Sequence, residues 1–149
     1  MSALTIRKAD ISDTDHIINL LTDYRTFYRL DTNLNELTSF VKARIQNAES
    51  VILLAFAGRK AVGIAQLYPC FTTLGLGKLW ILNDLFVSDT QRSQGIGKAL
   101  LDETIRFAKK DGAKRVDLKT EHDNFSAKTF YEKYGFIRDE TYVHYRFHI

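Results

Sequence analysis

The chain has 149 residues, 45% of them hydrophobic, 26% charged and 12% aromatic, with a formal net charge of +3. That length suits one globular domain, and eight glycines and one proline are too few for a disordered, fibrous or low-complexity chain. The single cysteine, Cys70, excludes an intrachain disulfide and a thiolate zinc site, leaving a core thiol as its expected role.

A first strand is expected at Leu4–Lys8. Ser12 and Asp15 have the spacing of a capping box, which predicts a helix start there, and Ile17, Leu20, Leu21, Tyr24 and Tyr28 recur on one helical face. Asn33 and Glu36 predict the start of a second helix, with Leu37, Phe40, Val41 and Ile45 as its buried stripe. Val51–Ala57 and residues 61–67 are apolar runs separated by Gly58-Arg59-Lys60, the spacing of an antiparallel hairpin. Residues 68–78, which include Pro69, Gly75 and Gly77, read as a loop, and residues 79–87 as a strand interrupted by the polar pair Asn83-Asp84. Ile96, Leu100, Leu101, Ile105 and Ala108 form a helical stripe ending near Asp111-Gly112. Val116–Leu118 is a short strand, and Ala127, Phe130, Tyr131 and Tyr134 make a further helical face closed by Gly135. A last strand is expected at residues 142–147. The order β-α-α-β-β-β-α-β-α-β, without repeats or a linker, predicts a single α/β (α+β) domain over residues 1–149.

The segment richest in chemistry is Arg92-Ser93-Gln94-Gly95-Ile96-Gly97-Lys98, between an expected strand and an expected helix. A glycine turn at a helix N-terminus gathers unpaired backbone N–H groups and the positive end of the helix dipole, a cradle for an anion. Gly95 and Gly97 permit close backbone approach, and Arg92 and Lys98 add charge-assisted bonds. A Walker A loop would need glycine at Arg92 and a hydroxyl at Ala99, and the dinucleotide fingerprint would need a small residue at Leu100, so both are excluded.

These residues match the Arg/Gln-x-x-Gly-x-Gly/Ala signature of the Gcn5-related N-acetyltransferase (GNAT) superfamily. The stretch from Asn124 through Ala127, Phe130 and Tyr131 to Gly135-Phe136 resembles that family's second block, Asn…Ala…Phe-Tyr…Gly-Phe. The resemblance implies the acyl-CoA N-acyltransferase fold, a mixed, mostly antiparallel sheet of about six or seven strands flanked by about four helices. It also implies acetyl-CoA as the acetyl donor. Leu82-Asn83-Asp84-Leu85-Phe86-Val87 and Ile6-Arg7-Lys8-Ala9 resemble the diamine and polyamine acetyltransferase branch and its small histone-acetyltransferase-like relatives, in which a homodimer is usual. Asn83 stands where that branch has a glutamate near its amine, a departure from a polyamine pattern.

By this resemblance the strand splays at Leu85, Phe86 and Val87, whose backbone polarises the thioester while the pantetheine arm lies along the strand edge. Arg92, Ser93, Gln94, Gly95, Ile96, Gly97 and Lys98 bind the cofactor phosphates, with Asn124, Ala127 and Tyr131 completing the cofactor site. Tyr131 stands at the position of the general acid, its phenol protonated at neutral pH against an ordinary pKa of about 10; the alternative is an aromatic packed beside Phe130 and Phe136. An alkylammonium of pKa about 10.4 must lose a proton before it attacks, and Asp84 is the nearest base by motif, with Glu121 and His122 as weaker candidates. Phe27 and Tyr28 fall where the branch binds its acceptor, and Asn83 and Asp84 join them there; stacking on an alkylammonium competes with plain helix-face packing. Trp80 belongs either to the core or to a subunit contact.

His144 and His148 share a strand face roughly 13 Å apart at about 3.3 Å per residue, too far for one metal, so no metal is expected. Charge at Arg7, Lys8 and Asp10 precedes any apolar signal region, and no run of about 18 apolar residues spans a bilayer, so a cytoplasmic protein without membrane attachment is expected. The small positive excess suits an anionic ligand and is too weak to argue for nucleic acid. The expected activity is acetyl transfer from acetyl-CoA to a primary amine of a small molecule. Its alternatives are transfer to a protein lysine and a non-catalytic acetyl-CoA sensor.

Overall fold

Val51 to Phe56 are buried in succession, the pattern of a strand covered on both faces. The computed structural model, which describes residues 3–149, places this strand inside a five-stranded sheet. The strands are β1 (Leu4–Lys8), β2 (Val51–Ala57), β3 (Lys60–Thr72), β4 (Gly77–Val87) and β5 (Val116–Leu118), side by side in that order. The first three pairings are antiparallel and β4–β5 is parallel. The chain divides into two compact units, one ending at Lys119 and one spanning Thr120–Ile149.

Alternation along β2 and β3 gives each sheet face its own helices. Helices α1 (Thr14–Phe27) and α2 (Leu34–Gln46) bury Ile17, Leu20, Leu21 and Val41 against Ile52, Leu54, Phe56, Ile64 and Phe86. On the opposite face lies α3 (Ile96–Lys110), so close at Gly63 that a Cβ there would stand 3.0 Å from Leu100 Cδ1 and 3.2 Å from Ile96 Cγ2. Thr104 rather than Ile105 is fully buried in α3. Trp80 packs on Phe107 of α3, and its indole N–H donates to Asp111 Oδ2 at 2.9 Å, which settles it as a core residue.

Several local expectations are corrected. The capping box before α1 is formed by Asp10 and Asp13, not Ser12 and Asp15, and it opens a 3-10 turn at Ile11–Asp13. Asp13 is chosen because Arg7 of β1 reaches it through two bonds of 2.8 and 2.7 Å, which makes its burial tolerable and holds its carboxyl at about 2. Residues 68–72 continue β3, and β4 begins at Gly77, so the expected loop shrinks to a turn. Pro69 is admitted because β2 pairs with β3 only as far as Leu67, leaving an open edge where no N–H is required. Cys70 on this extension is half-buried, not a core thiol.

In the second unit, α4 (Phe125–Tyr134) is capped by Asn124, whose Oδ1 accepts from the Ala127 N–H at 3.2 Å, and ends at Gly135 with φ 124°. The strand expected at residues 142–147 does not form. Alternation of Thr141, Val143, Tyr145 and Phe147 supplies a pattern but no ladder partner. Instead Asp139 Oδ1 accepts from the N–H groups of Thr141 and Tyr142, and the aromatic residues beyond are exposed. The described residues therefore hold five strands, not six or seven. No described helix is long and apolar enough to cross a membrane.

Candidate active site

The polar pair in β4 marks a bulge. Leu67 pairs with Leu82 but Gln66 pairs with Asp84, so Asn83 is the extra residue. The insertion restores the face pattern: Phe86 lies beside Ile64 and Asp84 beside Gln66 on the α1/α2 side. It also coincides with the end of β5, which pairs only with Trp80, Ile81 and Leu82. Beyond Leu82 the outer edge of β4, with the backbone groups of Leu85, Phe86 and Val87, has no strand partner among the described residues. The side chain of Phe86 is buried in the core, so its offer to a ligand is main chain.

The segment after β4 turns through Asp89–Gln91 to Ser93 at φ 62° and Gly95 at φ 80°, then enters α3. Gly95 is the N-cap, no side chain caps the helix and its first turn holds no acid. The N–H groups of Ile96, Gly97 and Lys98 thus begin the helix at its positive pole, and a Cβ at Gly95 would meet nothing within 4 Å. Ile96 serves by its backbone, its side chain being buried toward Gly63. Ser93 and Gln94 are exposed, and Lys98 pairs with Asp102 at 2.8 Å on the helix surface.

Arg92 is committed on the α1 side. Its Nε donates to Val87 O at 3.1 Å, its guanidinium pairs with Asp89 at 2.8 Å, and it lies over the rings of Phe27 and Phe86 at 5.3 and 5.5 Å. Tyr28 packs edge-on against Phe27 and Tyr24. The expected acceptor aromatics are therefore brought to the loop before α3, with Arg92 as the cation on Phe27. Phe27 and Phe86 also line an open cleft of about 790 Å³ together with Asp23, Arg59, Lys60 and Asp89.

Asp84 is half-buried and accepts from Gln66 Nε2 at 2.9 Å and Asn83 Nδ2 at 3.1 Å. Tyr68, two residues past Gln66 on β3, has its phenol pushed up to about 12 by burial first and by the Asp84 charge second. Neither Gln66 nor Tyr68 was singled out from the sequence. In the second unit Tyr131 contacts the rings of Phe130 and Phe136. Asn124 and Ala127 are joined by the helix cap, so Asn124 Oδ1 serves the backbone there. Glu121 and His122 are exposed. Among the described residues no group of three or more His, Cys, Asp or Glu is placed to hold a metal, and His144 and His148 are exposed.

The sequence profile of the Acetyltransferase (GNAT) family matches residues 14–136. The chain belongs to this family. The N-acetyltransferase YhfO of Bacillus subtilis (strain 168) is 42% identical over 142 residues, 95% of each chain. A crystal structure of a probable acetyltransferase superposes with a TM-score of 0.91 at 33% identity, covering 97% of both chains. The GNAT fold is shared with AAC(6')-Iy in complex with the bisubstrate analogue CoA-S-monomethyl-acetylneamine, at a TM-score of 0.83 and 18% identity over 99% of this chain and 100% of that one.

The protein is accordingly an acetyl-CoA-dependent N-acetyltransferase, and its own residues fit the cofactor. The uncapped α3 N-terminus and the open space over Gly95 suit a pyrophosphate. The β4 edge beyond Leu82, without a strand partner among the described residues, suits the amide-bearing arm, which can bond like an added strand.

Proposed function

We propose that this GNAT enzyme acetylates a primary amine of a small molecule, a diamine, polyamine or amino-acid-like compound, by direct attack on the thioester. The observation that carries the choice of acceptor is Asp84. It is a half-buried carboxylate beside the β4 bulge, held by two neutral amides, with no Lys, Arg or His paired to it among the described residues. A carboxylate so placed attracts an ammonium group.

Acetyl-CoA, when bound, supplies the acetyl thioester. The N–H groups at the start of α3 and the side chains of Ser93, Gln94 and Lys98 hold its phosphates, with Arg92 beside them. Backbone N–H groups at Leu85–87 stabilise negative charge developing on the carbonyl oxygen. Asp84 first anchors the ammonium and then accepts, and passes to solvent, the proton whose loss frees the nitrogen lone pair for attack. The second proton, shed by the nitrogen of the adduct, returns through water to the phenol that protonates the leaving sulfur. Tyr131 Oη donates a proton to the departing sulfur, its role being carried by the second family block. Residues 1–149 act as one catalytic domain, as a cytoplasmic homodimer, by the branch that the chain resembles.

The test is release of free CoA thiol from acetyl-CoA with purified protein and a panel of spermidine, short diamines, amino acids and a lysine-rich histone-tail peptide. Turnover on a small amine is expected. Turnover on the peptide alone makes the enzyme a protein lysine acetyltransferase, and acetyl-CoA binding without turnover on any member contradicts the small-amine assignment.

A further inference from the structure

Gln66 is the one polar residue in the apolar run 61–67, yet it is only 2% exposed at the centre of the sheet. Burying an amide there is costly unless both ends are bonded. Both are: Ser50 Oγ donates to Gln66 Oε1 at 3.1 Å, and Gln66 Nε2 donates to Asp84 Oδ2 at 2.9 Å. Because the serine hydroxyl donates to the amide oxygen, the amide nitrogen is directed at the carboxylate. Asn83, the bulge residue, donates to the same oxygen at 3.1 Å. Two neutral donors thus converge on Oδ2, and among the described residues neither of these bonds uses Oδ1.

The neighbouring groups add no net charge beside Asp84. Tyr68 from β3 stays a neutral phenol to about pH 12. Arg44 of α2 and Glu49 after it form an ion pair at 2.6 Å, so their opposite charges offset each other nearby. A lysine in place of Gln66 would orient Asp84 equally well but neutralise it. A glutamine orients it without adding a charge.

We propose that Gln66 is a positioning residue: the Ser50–Gln66–Asp84 relay fixes the orientation of the Asp84 carboxylate so that Oδ1 meets the acceptor's primary ammonium. This rests on Asp84 being the group that meets the acceptor, as proposed above. The relay acts through the orientation of Asp84, Gln66 itself being buried.

The experiment compares Gln66→Met, which keeps the length and removes the donor, with Gln66→Glu, which adds a second carboxylate. Ser50→Ala loosens only the far end of the relay, and Asp84→Asn removes its target. The first readout is the acid limb of the kcat/KM profile for the amine identified from the panel. The second, independent of turnover, is the 13C titration of the Asp84 carboxyl, assigned by its loss in Asp84→Asn. Removing a donor disfavours the anion, and adding a neighbouring carboxylate disfavours it more. The expected result is an acid limb and a titration midpoint moved to higher pH in Gln66→Met and further in Gln66→Glu. Acceptor kcat/KM falls about tenfold or more in Gln66→Met, while KM for acetyl-CoA stays within about twofold. Ser50→Ala moves the same quantities less, and carries the test if the buried substitutions prevent folding. An unmoved limb and midpoint in these variants, with turnover lost in Asp84→Asn, overturn the relay and leave Asp84 in its role. Wild-type turnover in Asp84→Asn overturns both.

Discussion

Gly95 separates the backbone demand of the loop before α3 from the electrostatic demand of the anion site proposed there. Its φ of 80° is left-handed, and the space over it is open, so any substitution meets backbone strain without steric clash. For alanine the strain is about 1–2 kcal/mol, partly offset by about 0.4–1 kcal/mol from reduced freedom of the unfolded chain. Gly95→Ala should therefore lose about 1 kcal/mol, or about 2–4 °C in Tm for a chain of this size. Gly95→Asp meets less strain, since aspartate tolerates this region better, and its charge gains about 0.3–1 kcal/mol from the positive pole of α3. It should melt no lower than Gly95→Ala. Its carboxylate would face the bound phosphates at roughly 5 Å, a repulsion of about 1–3 kcal/mol for an effective dielectric of roughly 20–80. Calorimetric titration with acetyl-CoA should show Gly95→Asp binding about 5- to 150-fold more weakly than Gly95→Ala, a gap that narrows with added salt. Equal affinities of the two variants would refute an anion site at this helix end.

Three further outcomes follow from other residues. Asp13 has its carboxyl lowered to about 2 by Arg7, so it stabilises the fold fully above the unfolded value of 3.8 and loses that contribution as pH falls toward 2. Denaturation of Asp13→Asn should show a loss of about 2 kcal/mol at pH 7 that fades over that window. Tyr131→Phe should lower kcat at least about tenfold with acetyl-CoA affinity within about twofold, as measured by steady-state rates and calorimetry. The difference in phenolate absorbance between wild type and Tyr68→Phe should appear only near pH 12, since burial and Asp84 both resist ionisation of Tyr68.

What the sequence disclosed was mostly local. Asn33 caps α2 through the Glu36 N–H, and Gly112 and Gly135 take positive φ just past their helices, because caps depend on neighbours within one turn. The start of α1 at Thr14 falls where the sequence puts it, but the capping pair is Asp10 and Asp13 because the deciding partner, Arg7, lies on a strand. Pro69 marked a break that an open sheet edge removes. The polar interruption at Asn83-Asp84 was visible and is the bulge, yet its buried partner Gln66 was hidden inside an apolar run 18 residues away. Phe27 was visible as a cation-binding ring, but the nearby cation is Arg92, 65 residues along the chain.

On the proposed mechanism amine and thioester react directly, with Asp84 and Tyr131 handling the protons. Initial rates measured while both acetyl-CoA and the accepted amine are varied test it most directly. Intersecting double-reciprocal lines are predicted, because both substrates must be bound before acetyl transfer. Parallel lines, accompanied by acetyl label held covalently on the protein when the amine is withheld, would contradict it.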